Sequence, residues 1–186
     1  MASSNNVNAT HNTVTISGSP TFGAATVLYG GIAAAGVDAV TGNTLNFKSS
    51  GIRVAGIQNF QNYNFMSAFT PGATLIQITG VDPVKLANTN VTYNGGNVPG
   101  GGGQRYFPGQ SMILIDKTEN TPASMSAAPI RQGVAMLYGV SLSADNGALT
   151  ATVTSAQAAP EAKSLSEGRV ASLRAGALAA QLPIQR

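Results

Sequence analysis

The first sixty residues repeat themselves, and this repeat limits how the chain can fold more than any other feature of the sequence. Residues 7–18 (VNATHNTVTISG) and residues 37–51 (VDAVTGNTLNFKSSG) share a valine, an alanine and an Asn-Thr pair followed by alternating apolar residues. The two Asn-Thr pairs begin 31 residues apart, at Asn12 and Asn43. Short strands that recur at roughly this spacing, with Gly and Asn at the corners, are typical of solenoid proteins.

The repeat predicts an all-β fold in which the chain winds as a right-handed parallel β-helix. Each coil of such a solenoid lays its strands on those of the preceding coil, with apolar side chains turned inward. We therefore expect Val14 and Ile16 of one coil to stack on Leu45 and Phe47 of the next. The rival interpretation is a β-sandwich whose strands happen to repeat.

Residues 66–153 keep the character of strands but lose the repeat. Residues 71–80 and 108–118 echo each other, and each consists of a Pro-Gly turn followed by an apolar stretch that is typical of a strand. Between them, residues 93–109 are rich in glycine, which favours a long surface loop without regular structure.

Two further elements are predicted towards the end of the sequence. In residues 134–155, Met136, Tyr138, Val140 and Leu142 alternate with small or polar residues, and Leu149, Ala151 and Val153 alternate again after Asn146-Gly147. An Asn-Gly turn between two alternating segments predicts a β-hairpin. Residues 160–182 begin with Pro160 and continue with good helix formers, so we expect an α-helix there.

The composition excludes several classes of function. Only 9% of the residues are charged, the net charge is +3, and the ten basic residues form no run. A nucleic-acid-binding protein usually needs a clustered basic face, so nucleic acid is an unexpected partner. The chain has no cysteine, which excludes disulfides and thiolate ligands.

The sequence offers few groups for catalysis. His11 is the only histidine, and the seven acidic residues are dispersed without a spacing that strand or helix geometry would bring together. The glycine-rich segment lacks the Lys-Ser or Lys-Thr of a phosphate-binding loop. We therefore predict a protein that is not an enzyme and has no cofactor and no metal ion.

Arg105 and Tyr106, next to the glycine-rich segment, are a possible contact for a partner. Exposed Arg and Tyr are frequent at protein interfaces. The alternative, which we favour, is that the aromatic residues pack beneath the loop.

Two segments of the sequence together resemble a known family. They are residues 28–65, which contain LYGG, TGNTLNF and IQNFQNYNF, and residues 141–173, which contain EAKSLSEGR. In this order they resemble the C-terminal passenger region of a Gram-negative autotransporter of type Va secretion, as found in large adhesins. The resemblance covers roughly residues 25–175.

The resemblance implies a division of the chain into three parts. Residues 1–66 would be the last β-helix coils of the passenger, residues 67–155 an autochaperone cap, and residues 156–186 a linker helix. That helix would lead to an outer-membrane β-barrel, of which we find no strands in this sequence. The polar N-terminus lacks the features of a secretory signal, so we expect a fragment of a longer chain.

The resemblance also implies a function at the bacterial surface. The segment would nucleate folding of the passenger and support its secretion and display, in a protein that acts as an adhesin or virulence factor. Its partners would be its own barrel, the upstream coils, and host surface molecules or a like chain on another cell. The alternative function is a binding module that contacts a host glycan or protein through residues 95–107.

Residues 57–66 (IQNFQNYNFM) combine aromatic rings with carboxamides and contain no charge. We predict that Phe60, Tyr63 and Phe65 are buried at a junction between the last coil and the cap, with Tyr63 hydrogen-bonded. The carboxamides would continue hydrogen-bond ladders from the coils below. Tyr138, Asn146 and Gly147 are the corresponding structural residues of the hairpin.

Overall fold

The computed structural model describes residues 7–98, 105–133, 135–160, 164 and 167–170, and this part of the chain is mostly β-strand. Most strands are short because Gly and Asn with positive φ interrupt the chain between them. The strands are β1 Thr13–Gly18, β2 Val27–Tyr29, β3 Thr44–Ser49, β4 Ile52–Val54, β5 Gly56–Gln58, β6 Asn62–Phe65, β7 Thr74–Ile78, β8 Val84–Lys85, β9 Asn90–Tyr93, β10 Asn97–Val98, β11 Ser111–Ile115, β12 Thr118–Glu119, β13 Ser124–Ala127, β14 Ile130–Gln132, β15 Met136–Ser143 and β16 Leu149–Ala158.

A five-stranded sheet in the order β1-β3-β6-β9-β13 is parallel throughout. Its register places apolar residues of successive strands beside one another on the inner face. Val14 pairs with Leu45 and Ile16 with Phe47, which confirms the predicted stacking of the two repeats. The same two inner columns continue through the other strands as Tyr63, Val91 and Met125, and as Phe65, Tyr93 and Ala127.

The sequence repeat fades because the chain length between stacked residues changes, although the parallel pairing persists. Residues that hydrogen-bond side by side across neighbouring strands are separated in sequence by 31, then 18, then 28 and then 34 residues. The intervals of 31 and 28 residues lie close to the predicted repeat, whereas 18 is much shorter and 34 is longer. The five-stranded sheet therefore continues across residue 66, where the sequence suggested a boundary.

A seven-stranded mixed sheet in the order β10-β14-β15-β16-β11-β7-β4 curls beside the first sheet. Strands β4, β7 and β11 are parallel, so the two Pro-Gly segments that echo each other lie side by side. β16 then pairs antiparallel with β11 and with β15. Two small parallel pairs, β2-β5 and β8-β12, complete the sheets of the described residues.

The predicted hairpin is confirmed as β15 and β16. Asn146 and Gly147 both have positive φ, at 54° and 74°, and the Ala148 N–H donates to the Asp145 carbonyl at 3.1 Å. Positive φ at both central residues is the conformation that Asn-Gly adopts readily. The turn is held against the rest of the fold by the Thr118 N–H, which donates to the Gly147 carbonyl at 2.7 Å.

The predictions for the glycine-rich segment and for the C-terminal helix are each met only in part. The glycine-rich segment is not wholly irregular, because Asn97 and Val98 pair in parallel with Arg131 and Gln132. Only part of the predicted helix can be checked: Pro160, Ser164 and residues 167–170 are helical, and the remainder of residues 160–182 lies outside the described residues.

Candidate functional site

The two ends of the stack of parallel strands differ. The candidate functional site is the end formed by β1, and it is best described by comparison with the opposite end. On one side β1 is the edge of the five-stranded sheet. On the other side the parallel series β4-β7-β11 is continued by the antiparallel strand β16, and β15 contacts β13.

The free edge of β1 presents unpaired backbone groups. The Thr44 N–H donates to the Asn12 carbonyl at 2.8 Å, which fixes the alternation along the strand. Val14 and Ile16 therefore direct their backbone groups towards β3, whereas Thr13, Thr15 and Ser17 direct theirs away from it. Within the described residues those outward N–H and C=O groups have no hydrogen-bond partner.

The end of the fold around β1 also exposes large apolar side chains. Ile32 is 73% exposed, and Val40 and Tyr29 are each 40% exposed. All three belong to the segment between β1 and β3. An edge with unpaired backbone groups and exposed apolar neighbours is a template for pairing with another strand.

Asn43 fixes the corner where the chain enters β3. Its side chain is fully buried, and its Nδ2 donates to the carbonyls of Ala9, Ala39 and Asn59 at 2.8, 2.6 and 3.2 Å. Its Oδ1 accepts hydrogen bonds from the backbone and side-chain nitrogens of Asn12 at 2.8 and 3.1 Å. The repeated Asn-Thr pair marks this corner in the sequence, where it indicated the spacing of the repeat but not the buried hydrogen bonds of Asn43.

The outer face of the five-stranded sheet carries two hydrogen-bonded ladders of neutral side chains. Asn64 Nδ2 donates to Asn46 Oδ1 at 2.9 Å, and Thr92 Oγ1 donates to Asn64 Oδ1 at 2.8 Å. In the second ladder, Asn90 Nδ2 donates to Asn62 Oδ1 at 3.0 Å. Two of the carboxamides of residues 57–66, Asn62 and Asn64, thus join ladders between strands as expected, without like-charge repulsion. Asn59 and Gln61 instead bond to the backbone of Gly31 and Gly42.

The three aromatic residues of residues 57–66 are all buried. Phe60, Tyr63 and Phe65 are at most 2% exposed, and the Phe60 and Tyr63 rings meet edge to face with centroids 6.0 Å apart. Burial raises the pKa of the Tyr63 hydroxyl above its usual value. The expected hydrogen bond of Tyr63 is absent among the described residues. β6 lies in the middle of the sheet, so these rings form part of its continuous core.

A stack of three aromatic rings lies beneath the hairpin. Tyr106 meets Phe69 and Tyr138 edge to face at centroid distances of 5.3 and 5.1 Å. The Tyr106 hydroxyl donates to the Phe69 carbonyl at 3.0 Å, and the Tyr138 hydroxyl is 2.9 Å from Gln132 Oε1. Burial raises the pKa of Tyr106 above its usual value.

This placement changes the interpretation of the segment beside the glycine-rich loop. Tyr106 is 3% exposed and cannot serve as a surface contact, because its ring and hydroxyl are both engaged within the fold. Arg105 is exposed, and the neighbouring Phe107 is 59% exposed. Of the two aromatic residues next to the glycine-rich segment, Tyr106 is therefore buried in the fold and Phe107 is exposed.

The groups considered for catalysis are not brought together. His11 is exposed and lies against Gly42, with its backbone N–H donating to the Thr41 carbonyl at 2.9 Å. Among the described residues, no three His, Asp or Glu side chains gather closely enough to hold a metal ion. The same part of the chain contains no helix long and apolar enough to cross a bilayer.

The described residues form a mostly β fold with parallel sheets, in which β1 and β4 are edge strands and β11 is covered by β16. Comparison with protein-family models, with curated proteins and with solved structures gives no match for this chain.

Proposed function

We propose that this chain is the C-terminal folding template of a β-helical passenger displayed at the surface of a Gram-negative bacterium. The observation that carries the proposal is the difference between the two sides of the strand stack. Among the described residues, the outward backbone groups of Thr13, Thr15 and Ser17 on β1 have no hydrogen-bond partner, whereas β16 covers β11. A template needs one edge that accepts a strand and another that does not.

The proposed β-helix rests on the order in which the chain visits its sheets. After β3 the chain passes through β4 and β5 before it returns to the first sheet as β6. It then passes through β7 and β8 and returns as β9. Each return adds a parallel strand in register with the previous one, which is how a right-handed solenoid grows.

In the proposed mechanism, a strand that emerges next to β1 condenses on the unpaired backbone groups of that edge. Each added strand buries apolar side chains on the inner columns and extends the ladders on the outer face. The released free energy favours outward movement of the passenger without ATP. The low charge of the chain helps, because few ionised side chains would cross a narrow pore.

The proposed setting is a type Va autotransporter with an adhesive or virulence function. Its partners would be an outer-membrane barrel, upstream passenger coils, and host molecules or a like chain on another cell. Two features support this setting. Residues 25–175 resemble the C-terminal passenger region of autotransporters, and the outer face of the five-stranded sheet carries neutral side chains.

The proposal can be tested by blocking the β1 edge in a protein that carries the upstream passenger. Thr15→Pro removes an outward N–H while leaving the bonds from β1 to β3, because proline is tolerated where the N–H faces away from the sheet. We expect upstream segments to become protease-sensitive and poorly displayed. Thr15→Ser, which keeps the N–H, should behave as the parent.

Deletion of residues 134–153 tests the opposite side of the stack. Loss of the hairpin exposes β11, so display and protease resistance of the upstream passenger should again fall. Unchanged display in both the deletion variant and Thr15→Pro would refute the proposed function.

A second candidate function is a binding module at residues 95–107. The exposed side chains of Arg105 and Phe107 favour it, whereas the buried Tyr106 does not contribute. Direct binding of a host glycan or protein that is lost in the variant with both Arg105→Ala and Phe107→Ala would support this function. Binding that is unaffected by this double substitution would exclude it.

A further inference from the structure

A shallow groove lies between the segment at Pro20–Phe22 and strands β4 and β7, far in sequence from the glycine-rich loop. Its volume is about 360 Å³, and its lining includes Thr21, Phe22, Ile52, Arg53, Thr74 and Gln77. Pockets of this size accommodate one small organic ligand or one unit of a polymer. Neither the strand-addition edge nor the hairpin uses these side chains.

The groove carries one uncompensated positive charge. Arg53 is exposed, and its guanidinium makes no ion pair or hydrogen bond with any described residue. The residues that line the groove include no Asp or Glu. A free guanidinium in such a site favours a carboxylate, which it can bind through two parallel hydrogen bonds.

Neutral polar groups flank this charge. Arg53 and Gln77 are register partners on the adjacent parallel strands β4 and β7, so their side chains leave the same face of the sheet about 4.8 Å apart. Thr21 contributes an exposed hydroxyl to the lining. Thr74 also borders the groove, but its side chain leaves the same face of β7 as the buried Ile76. An amide and a hydroxyl can donate to and accept from the hydroxyls of a ligand.

Phe22 supplies an apolar wall. Its ring packs partly against the core and is half-buried, and it lines the groove. Ile52 borders the groove but is only 6% exposed and belongs to the core, so Phe22 is the apolar side chain open to a ligand. A ligand that fits these features has one apolar ring face, several hydroxyls and one carboxylate.

We propose that this groove binds a carboxylated pyranose, the unit found in acidic polysaccharides. The carboxylate lies against Arg53, the hydroxyls reach Gln77 and Thr21, and the C–H face of the sugar ring packs on Phe22. This inference is independent of the proposed template function, because it involves neither the edge of β1 nor the hairpin.

The experiment is a titration of the isotope-labelled chain with methyl glucuronide, followed by amide and side-chain NMR. Methyl glucoside tests the sugar ring without the carboxylate, and acetate and inorganic phosphate test the anion without the ring. We expect shifts confined to the groove and a dissociation constant on the order of 1 mM for the glucuronide. Each of the three comparison ligands should bind at least roughly tenfold more weakly.

Three variants sharpen the result. Arg53→Lys keeps the positive charge but loses the bidentate hydrogen bonding to the carboxylate, so binding of the glucuronide should weaken roughly tenfold. Phe22→Leu removes the aromatic wall and should also weaken binding. Arg169→Lys, at an exposed arginine outside the groove, is the matched control and should leave the dissociation constant unchanged.

Three outcomes would overturn the proposal. They are the absence of shifts in the groove, binding of acetate or phosphate as tight as that of the glucuronide, and equal effects of Arg53→Lys and Arg169→Lys. Because Arg53 is exposed, its substitution leaves the fold intact and the comparison remains decisive even if Phe22→Leu destabilises the chain.

Discussion

At the scale of single residues, the fold depends on neutral polar side chains in two different environments. Asn43 is fully buried and serves three carbonyls and one neighbouring backbone N–H, whereas Asn64 lies on the outer ladder where water can replace its partners. The sequence indicated that such residues form ladders. It could not separate the buried asparagine from the ladder asparagines, because both follow similar local patterns and differ only in what the rest of the chain packs against them.

Asn43→Ala should therefore be much more damaging than Asn64→Ala. We expect Asn43→Ala to lower the free energy of unfolding by roughly 3 kcal/mol, because it leaves several buried backbone groups without a partner. Asn64→Ala should cost about 1 kcal/mol or less. Urea unfolding of both variants measures the difference, and equal costs would contradict the role assigned to Asn43.

Asp38 gives a residue-scale prediction for pH. Hydrogen bonds from the side chain and backbone of Thr41, and from the Val40 N–H, hold the pKa of Asp38 at about 2, below its usual value of 3.8. Since the folded pKa is depressed, the ionised carboxylate stabilises its turn above about pH 4, and this contribution is lost as the pH falls through about 2. NMR titration of the carboxyl carbon should show the low midpoint, and Thr41→Val should raise it. A midpoint near 4 in the parent would contradict these contacts.

At the scale of elements, the hairpin was predictable and the partners of the parallel strands were only partly so. The hairpin needs local information alone, namely two alternating segments and an Asn-Gly turn. The pairing of β1 with β3 was visible because both strands repeat one sequence. The pairing of β3 with β6 was not visible, because the interval shortens from 31 to 18 residues and Tyr63 stands where β3 has Leu45. Likewise, the burial of Tyr106 depends on Phe69 and Tyr138, which are distant in sequence.

The aromatic stack beneath the hairpin should contribute strongly to stability. Tyr106→Ala should lower the free energy of unfolding by about 3–5 kcal/mol because it removes a buried ring between two others. Tyr106→Phe should cost only about 1 kcal/mol, the contribution of its one hydrogen bond. Phe107→Ala is the adjacent control, and at 59% exposure it should change stability by no more than about 0.5 kcal/mol. Chemical denaturation of the three variants would refute the stack if Tyr106→Ala resembled Phe107→Ala.

The turn of the hairpin provides a backbone prediction at the same scale. Gly147 has φ of 74°, a conformation that costs a residue with a Cβ about 1–2 kcal/mol. Gly147→Ala should lower the thermal midpoint, while Gly168→Ala, at a helical glycine with open space around it, should not. Equal midpoints for the two variants would contradict the turn geometry.

At the scale of the whole molecule, the central claim is that the strand stack is a template with one accepting edge. At one end of the stack, strands of the same chain cover the parallel strands: β16 pairs with β11 and β15 contacts β13. At the other end is β1, the edge that we propose accepts a further strand. Its inner residues Val14 and Ile16 are the first members of the two apolar columns of the core. The sequence predicted parallel stacking and a hairpin that covers the C-terminal end, and the proposed direction of growth rests on the pairing of β16 with β11.

Residue-resolved hydrogen exchange of the β1 amides is the most direct measurement of this claim, first in this chain alone and then with the upstream passenger attached. In the chain alone, the amides of Val14 and Ile16 should be protected by β3, whereas those of Thr13, Thr15 and Ser17 should exchange rapidly. With the passenger attached, these three outward amides should become protected. If they exchange equally fast in both proteins, no strand adds to β1 and the template function is wrong.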